Sequence, residues 1–185
     1  MNTSAWERLW NSAVRSADCS EMQRLVMLHG AIESAANGIT VDHAATRVAA
    51  ALASPKVVAS ESLSSVLVTL DGVWNDLSVP TRETVLRAVE RAMPSVRDPA
   101  AVAWWGDRVS RSEPPREALF HILSVAKQVS GDTLPTLLVS LQRAARAYAP
   151  ERFASFRERV VGRLSVSELK ELLCRELHAW RAGHK

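Results

Sequence analysis

Apolar side chains recur at helical spacing along nearly the whole of this chain of 185 residues. Trp6 and Trp10 lie one turn apart, and Leu63, Leu67 and Leu70 form a second stripe with the same period. An amphipathic helix buries such a stripe, whereas a half-buried strand needs strict alternation of apolar and polar residues. No convincing run of alternation occurs in the sequence. The sequence therefore predicts an all-α fold.

Helix-start signals divide the chain into short segments. Ser4–Glu7, Ser20–Gln23 and Ser165–Glu168 each have the spacing of a capping box, in which two side chains satisfy free amides of a first turn. Asp98 stands directly before Pro99, which a first turn tolerates because proline has no amide to leave unpaired. Short connections favour antiparallel neighbours. We predict nine or ten short antiparallel helices, at about residues 4–17, 20–36, 41–53, 61–77, 80–93, 99–110, 115–130, 133–148, 150–163 and 166–181.

The chain has no long polar or low-complexity linker that would divide it. Its length suits one ordinary domain. We therefore predict a single all-helical domain over residues 1–185, with repeat-like hairpins over about 22–148 and a basic C-terminal helical pair over about 150–181.

Two pairs of segments suggest an internal repeat. Thr46–Leu52 and Leu86–Ala92 lie forty residues apart, and each ends a predicted helix pair. Arg143–Pro150 is similar to Arg87–Pro94 at an offset of fifty-six. These second helices are rich in alanine, whose small side chain lets paired helices approach closely. Stacked units of this kind bury a continuous core between neighbours.

The repeated pattern resembles HEAT-like and octotricopeptide-like helical-hairpin repeats. Asp42–Ala50, in which Arg47 lies five residues after Asp42, is the closest match to the second helix of a HEAT unit. The resemblance covers about residues 22–148 and implies an irregular hairpin array that displays a binding surface. A compact irregular bundle is the alternative architecture.

Residues that could carry catalysis or bind a metal are scattered. No two histidines have the i, i+4 spacing of a zinc-binding helix, and the one metal-like pair is Cys174 with His178. Two ligands do not close a zinc site, and the apolar face around Cys174 explains it as a buried residue. We predict no catalytic residue, no metal, no cofactor and no small-molecule substrate. The sequence favours a protein that is not an enzyme.

Six tryptophans outnumber the one tyrosine and three phenylalanines together. Four of them extend apolar stripes of predicted helices, but Trp104 and Trp105 are adjacent in a segment that is apolar almost all round. A helix of that kind is either central to the core or covered by a partner. Trp104 and Trp105 are therefore candidates for a protein interface, where tryptophan often dominates binding energy.

Basic residues concentrate at the C-terminal end. Residues 143–185 contain ten basic and five acidic side chains, although the whole chain carries a formal charge of only +3. We name five of these side chains the C-terminal arginine ridge: Arg143, Arg146, Arg152, Arg159 and Arg163. A ridge of arginines can hold several phosphates of a nucleic acid with salt-dependent affinity. An ordinary solvated face, partly neutralised by Glu151 and Glu158, is the alternative.

Cysteine content and hydropathy bear on the compartment. Two cysteines exclude a disulfide scaffold and favour an intracellular, reducing compartment, with the cytoplasm and the mitochondrial matrix both open. No apolar run approaches the roughly 20 residues that span a bilayer.

Three hypotheses about function follow. The first is a non-enzymatic helical-repeat module that binds one or more proteins as a structural subunit of a larger assembly. The second is an RNA-binding component of an organellar ribonucleoprotein, acting through the C-terminal arginine ridge; the resemblance to octotricopeptide-like proteins implies that association. The third is a bacterial inhibitor or immunity-type protein that occupies the surface of a toxin.

Overall fold

The computed structural model describes residues 3–33, 41–129, 131–148, 150–151, 154 and 165–183. Every regular element in these ranges is helical, and none of them contains a strand, so the predicted all-α fold is confirmed. The α-helices are α1 Thr3–Ser16, α2 Cys19–Glu33, α3 Val41–Ala51, α4 Pro55–Val58, α5 Leu63–Thr69, α6 Val79–Ala92, α7 Pro99–Ser112, α8 Pro115–Ala126, α9 Leu134–Tyr148 and α10 Val166–Ala182. Short 3-10 turns, Leu70–Gly72 and Met93–Ser95, follow α5 and α6.

Most predicted helices lie within a few residues of the observed bounds, and the cap chemistry explains two of the starts. The capping box at the start of α10 is present: the Glu168 amide donates to the Ser165 hydroxyl, and the Ser165 amide donates to the Glu168 carboxylate. The box predicted at Ser20 is wrong. Asp18 caps α2 instead, accepting from the Glu21 amide at 2.9 Å, and the helix begins at Cys19.

The helix predicted over 61–77 is wrong at its C-terminal end. α5 stops at Thr69, and the chain passes through the turn at Gly72 before Trp74 packs edge-to-face against Trp104, with ring centroids 5.4 Å apart. Glycine is a weak helix former, and Asn75 belongs to a residue type that favours turns. Burial of the Trp74 indole therefore stabilises the chain more than another turn of helix would. The predicted helix over 150–163 lies mainly outside the described residues.

Helices pack in two rows. In the first row α2 packs against α5, α5 against α7 and α7 against α9. In the second row α3 packs against α6 and α8 against α10, while α6 and α8 are joined by a side-chain contact described below. Cross-contacts of α2 with α3, α6 with α7 and α8 with α9 connect the rows. The resemblance to HEAT-like repeats remains a prediction.

One cluster of buried apolar residues runs from Trp6 in α1 to Leu173 in α10. α7 packs tightly against α9 at a glycine. There Gly106 faces Ser140, and a β-carbon built on the glycine would lie only 2.7 Å from the Ser140 hydroxyl oxygen. The absence of a side chain at residue 106 is therefore what lets these two helices pack closely.

A single buried carboxylate positions the N-termini of two helices. Asp98 accepts from the Ala100 amide at 2.9 Å, which caps α7, and from the Ser64 amide at 2.6 Å in the first turn of α5. Free amides at a helix start need an acceptor, and a negative charge there is favourable. The Asp98–Pro99 start predicted from the sequence is confirmed, and the same residue fixes α5 beside α7.

Candidate protein-binding groove

The two adjacent tryptophans of α7 are both buried within the chain. The Trp105 indole is inaccessible and donates to the Leu86 carbonyl at 3.1 Å. The Trp104 ring is 7% exposed and donates to the Asp71 carboxylate at 2.7 Å. The expectation that Trp104 and Trp105 anchor a protein interface therefore needs correction, because each ring fills the core and has its polar atom paired.

The C-terminal arginine ridge is described only in part. Arg143 forms an ion pair with Asp107 of α7, and Arg146 lies exposed on the same helix as Arg143. Arg152, Arg159 and Arg163 lie outside the described residues. Because the guanidinium of Arg143 already has a carboxylate partner, it is less available to a phosphate. The nucleic-acid hypothesis for the ridge remains a prediction.

A groove of about 860 Å³ lies between α6, the end of α7 and the start of α8. One face of α6 forms its first wall, at the helical spacing of three and four residues: Val79, Arg82, Glu83, Leu86, Arg87 and Glu90. We call this feature the α6 groove. Its volume falls within the range of pockets that bind small ligands or the side chains of a partner.

Arginines from the C-terminal turns of α7 form the second wall. The Arg108 guanidinium lies over the Trp74 ring at 5.1 Å and the Trp104 ring at 5.8 Å, and it also pairs with the Asp71 carboxylate. A cation over an indole face gains from the ring quadrupole. Arg108 is therefore held in place by two aromatic rings and an ion pair.

The other arginine of this wall, Arg111, is anchored more loosely. Its Nε donates to the Asp107 carboxylate at 2.8 Å, while most of the side chain is exposed. Burial alone would raise the pKa of Asp107, but hydrogen bonds and charge from Arg143 and Arg111 lower it. Asp107 is therefore a charged anchor on α7 for two arginines.

A histidine between two carboxylates closes the end of the groove. His121 Nδ1 lies 2.7 Å from a Glu113 oxygen, and Nε2 lies 3.0 Å from a Glu90 oxygen. The hydrogen bond with Glu113 and then the one with Glu90 raise the pKa of His121 to about 9, against the opposing effect of burial. At neutral pH the ring is therefore a cation that donates from both nitrogens. It ties α6 to α8 and lacks the free lone pair that a general base requires.

A second polar cluster lies at the other end of the rows and fixes α1. One oxygen of Glu7 accepts from Arg47 Nη2 at 2.7 Å and lies 2.9 Å from His43 Nε2, which connects α1 to α3. Beside it the Trp6 indole stacks on Trp10 and donates to a backbone carbonyl of α2 at 2.9 Å. These contacts hold α1 against α2 and α3, so the polar residues of this cluster have a structural role.

Neither metal ligation nor a membrane span is found in the described part of the chain. No three His, Cys, Asp or Glu side chains of the described residues meet in a group that could hold a metal ion. Among the described helices, none combines the length and apolar character needed to cross a bilayer. Comparisons with protein-family models, with curated proteins and with solved structures found no match for this chain.

Sequence reasoning did not find the α6 groove. The charges of alternating sign on α6 are typical of a solvated helix face, so Arg82 and Glu83 carried no distinct signal. His121 lies eight residues after Glu113, but its second partner, Glu90, lies thirty-one residues before it. The one usable sign was Val79, an apolar residue at the start of a helix face that is mainly charged.

Proposed function

We propose that this chain is a non-enzymatic protein-interaction module that holds a segment of a partner protein in the α6 groove, as a subunit of a larger assembly. The observation that carries the proposal is the exposed apolar side chain of Val79, 58% accessible, inside a groove lined mainly by charged residues. Leu86 and Trp74 continue this apolar strip into the floor. Protein interfaces combine an apolar centre with a polar rim in the same way, and arginine is enriched in them.

Contacts within the chain hold two side chains of the groove, Arg108 and His121, in place. Arg108 is held by two indoles and Asp71, and His121 ties the helices of two walls together. A preorganised surface loses less conformational entropy on binding, so more of the contact energy appears as affinity. This favours a surface built for recognition over a solvated crevice.

The chemistry of the groove supports binding in preference to catalysis. Its histidine, His121, engages both nitrogens with carboxylates and is positively charged at neutral pH. A general base needs an accessible lone pair, and an activated nucleophile needs such a base beside it. The residues of the groove are better suited to complementary contacts than to proton transfer.

The test compares two exposed valines. Val79 lies in the groove, whereas Val139 lies on α9 and is 63% exposed. Tagged wild-type chain, Val79→Asp and Val139→Asp are each used for affinity purification from the native cells, followed by quantitative mass spectrometry. We expect a protein that co-purifies with the wild type and with Val139→Asp to be lost with Val79→Asp. The substitution removes the apolar contact at residue 79 and introduces a charge that must lose its water on binding, which weakens binding.

Circular dichroism and thermal melting of the two variants control for folding, since both substitutions are at exposed sites and should leave the helices intact. Partners lost equally from both variants, or retained by Val79→Asp, would contradict a role for the groove.

A further inference from the structure

We propose that the partner segment held by the α6 groove is acidic, with carboxylates flanking an apolar side chain. This inference rests on the proposed function and adds the chemical class of the ligand. It follows from the hydrogen-bonding capacity that the groove leaves unused, from its charge and from the position of Val79.

Each carboxylate of the groove has a basic side chain beside it. Glu90 and Glu113 each accept from a nitrogen of His121. Glu83 has Arg87 beside it at 3.5 Å, a long contact between two exposed side chains. A cationic ligand would therefore meet carboxylates whose charge is already balanced by a basic side chain of the same chain.

The donors of the groove, in contrast, exceed its acceptors. Four arginines and the protonated His121 line it with three glutamates, while Asp71 and Asp107 pair with Arg108 and Arg111 from outside the lining. Arg82 forms no ion pair with any residue that the structure describes, and Arg111 uses only its Nε for Asp107. A guanidinium carries several N–H donors and no acceptor, and it binds carboxylates in matched pairs. The groove is therefore most complementary to carboxylate oxygens.

The apolar strip formed by Val79 and Leu86 determines where the carboxylates of the partner lie. Val79 and Arg82 are one helical turn apart on α6, and Leu86 and Arg87 follow on the next turn. Arg82 and Arg87 are separated by about 7.5 Å along the helix axis, given a rise of about 1.5 Å per residue. A partner that places an apolar side chain on Val79 and Leu86 thus needs acidic residues roughly one to two helical turns apart.

A nucleic acid is less suited to the same surface. Its backbone presents a charge at every phosphate, and Glu83, Glu90 and Glu113 would repel part of it. Single strands bind largely by stacking on aromatic rings, and the indoles of this region are buried. A peptide can place neutral residues opposite the glutamates, whereas a phosphate backbone cannot.

The experiment selects short random peptides, displayed on phage, for binding to the full purified chain. The strongest peptides are then synthesised, and their affinity is measured by fluorescence polarisation for the wild type, Val79→Asp, Arg82→Glu and Arg91→Glu. A fluorescent single-stranded RNA is measured in the same way. Arg91 is exposed on α6 but does not line the groove, so it is a matched control for the change of charge. Circular dichroism checks that the three variants are folded.

We expect the selected peptides to be rich in Asp and Glu around an apolar residue. Arg82→Glu should weaken their binding by about tenfold or more, as a lost charge contact at an interface does, and Arg91→Glu should change it much less. A peptide in which one acidic residue is replaced by lysine should regain affinity for Arg82→Glu.

The outcomes separate this inference from the function on which it rests. In one outcome, the selected peptides have no acidic bias and bind Arg82→Glu as well as the wild type, but they do not bind Val79→Asp. This result would overturn the inference that the ligand is acidic, and the groove would remain a binding site. No selected peptide, or binding indifferent to Val79→Asp, would contradict the groove and the inference with it. In another outcome, no peptide is selected, a fluorescent single-stranded RNA binds tightly, and Arg82→Glu abolishes the RNA binding. This result would assign the surface to nucleic acid instead.

Discussion

Single side chains in this molecule take their roles from partners that are distant in sequence. His121 is the clearest case, since it has one carboxylate partner in the preceding linker and one on α6. A histidine that bridges two carboxylates stays protonated at a pH where a free imidazole is neutral. The charge of His121 is therefore part of the fold at neutral pH.

We predict that His121 stabilises the protein in a pH-dependent way. Its pKa in the folded chain is about 9, above the ordinary value of 6.5, so its contribution is fully present below pH 6.5 and is lost as the pH rises through 9. His121→Gln should lower the unfolding free energy by about 2 kcal/mol more below pH 6.5 than above pH 9. Urea unfolding of both proteins across this range measures the difference.

NMR titration of the His121 ring supplies an independent check. Glu113→Gln should lower the midpoint toward the ordinary value, because it removes the carboxylate that raises the pKa most. A wild-type midpoint near 6.5 would show that the bridge does not hold a cation.

The two tryptophans of α7 show why residue roles were harder to predict than helices. Periodicity identified an apolar helix around Trp104 and Trp105 but left open whether the core or a partner covers it. The Trp105 indole donates to Leu86 on α6, nineteen residues earlier, and nothing local in the sequence indicates that pairing. An isolated exposed valine, not a tryptophan, is the apolar side chain that remains available in the α6 groove.

At the scale of helices, local chemistry predicted starts better than ends. Ser165 and Asp98 cap helices as their neighbours in the sequence suggest, since a cap depends on residues within one turn. The end of α5 depends instead on Trp74 packing against Trp104 of α7. Tertiary packing of that kind overrides periodicity and cannot be seen in a window of sequence.

The packing of α7 on α9 depends on one glycine, which gives an element-scale prediction. A β-carbon at residue 106 would lie 2.9 Å from the Ser140 β-carbon and 3.1 Å from Leu137, so Gly106→Ala should force the helices apart. We expect a loss of about 2 kcal/mol in unfolding free energy, although alanine favours a helix by up to about 1 kcal/mol. Chemical denaturation measures the change.

Two further variants distinguish a clash from a general effect of replacing glycine. Gly72→Ala, where a β-carbon meets nothing within 4 Å, should change stability by less than about 0.5 kcal/mol. Adding Ser140→Gly to Gly106→Ala should restore part of the loss, because it removes the atoms that collide. Equal destabilisation by Gly72→Ala and Gly106→Ala, with no rescue, would exclude the clash.

At the scale of the whole molecule, the all-α class was predictable but the order of packing was not. Helical periodicity is repeated in segment after segment, so the fold class follows from the sequence directly. The pairing of α3 with α6, and hence the wall that bears Arg82, depends on contacts between residues more than thirty positions apart. The groove is formed by that packing, so no sequence motif predicts it.

One continuous core predicts that the chain unfolds as one unit. Buried tryptophans report on two separate parts of the described core, with Trp6 and Trp10 in α1 and Trp104 and Trp105 in α7. Urea transitions followed by tryptophan fluorescence and by far-ultraviolet circular dichroism should therefore coincide. Two separated transitions would show that the rows contain independently folding parts.

The claim on which the functional account depends is that a partner protein lies against α6 in the groove. Site-specific photocrosslinking in the native cells tests it most directly, with a photoreactive amino acid placed at Val79 in one variant and at Val139 in another. We predict a discrete crosslinked protein from position 79 and none from position 139. Crosslinks from position 139 alone, or the same products from both positions, would contradict the account.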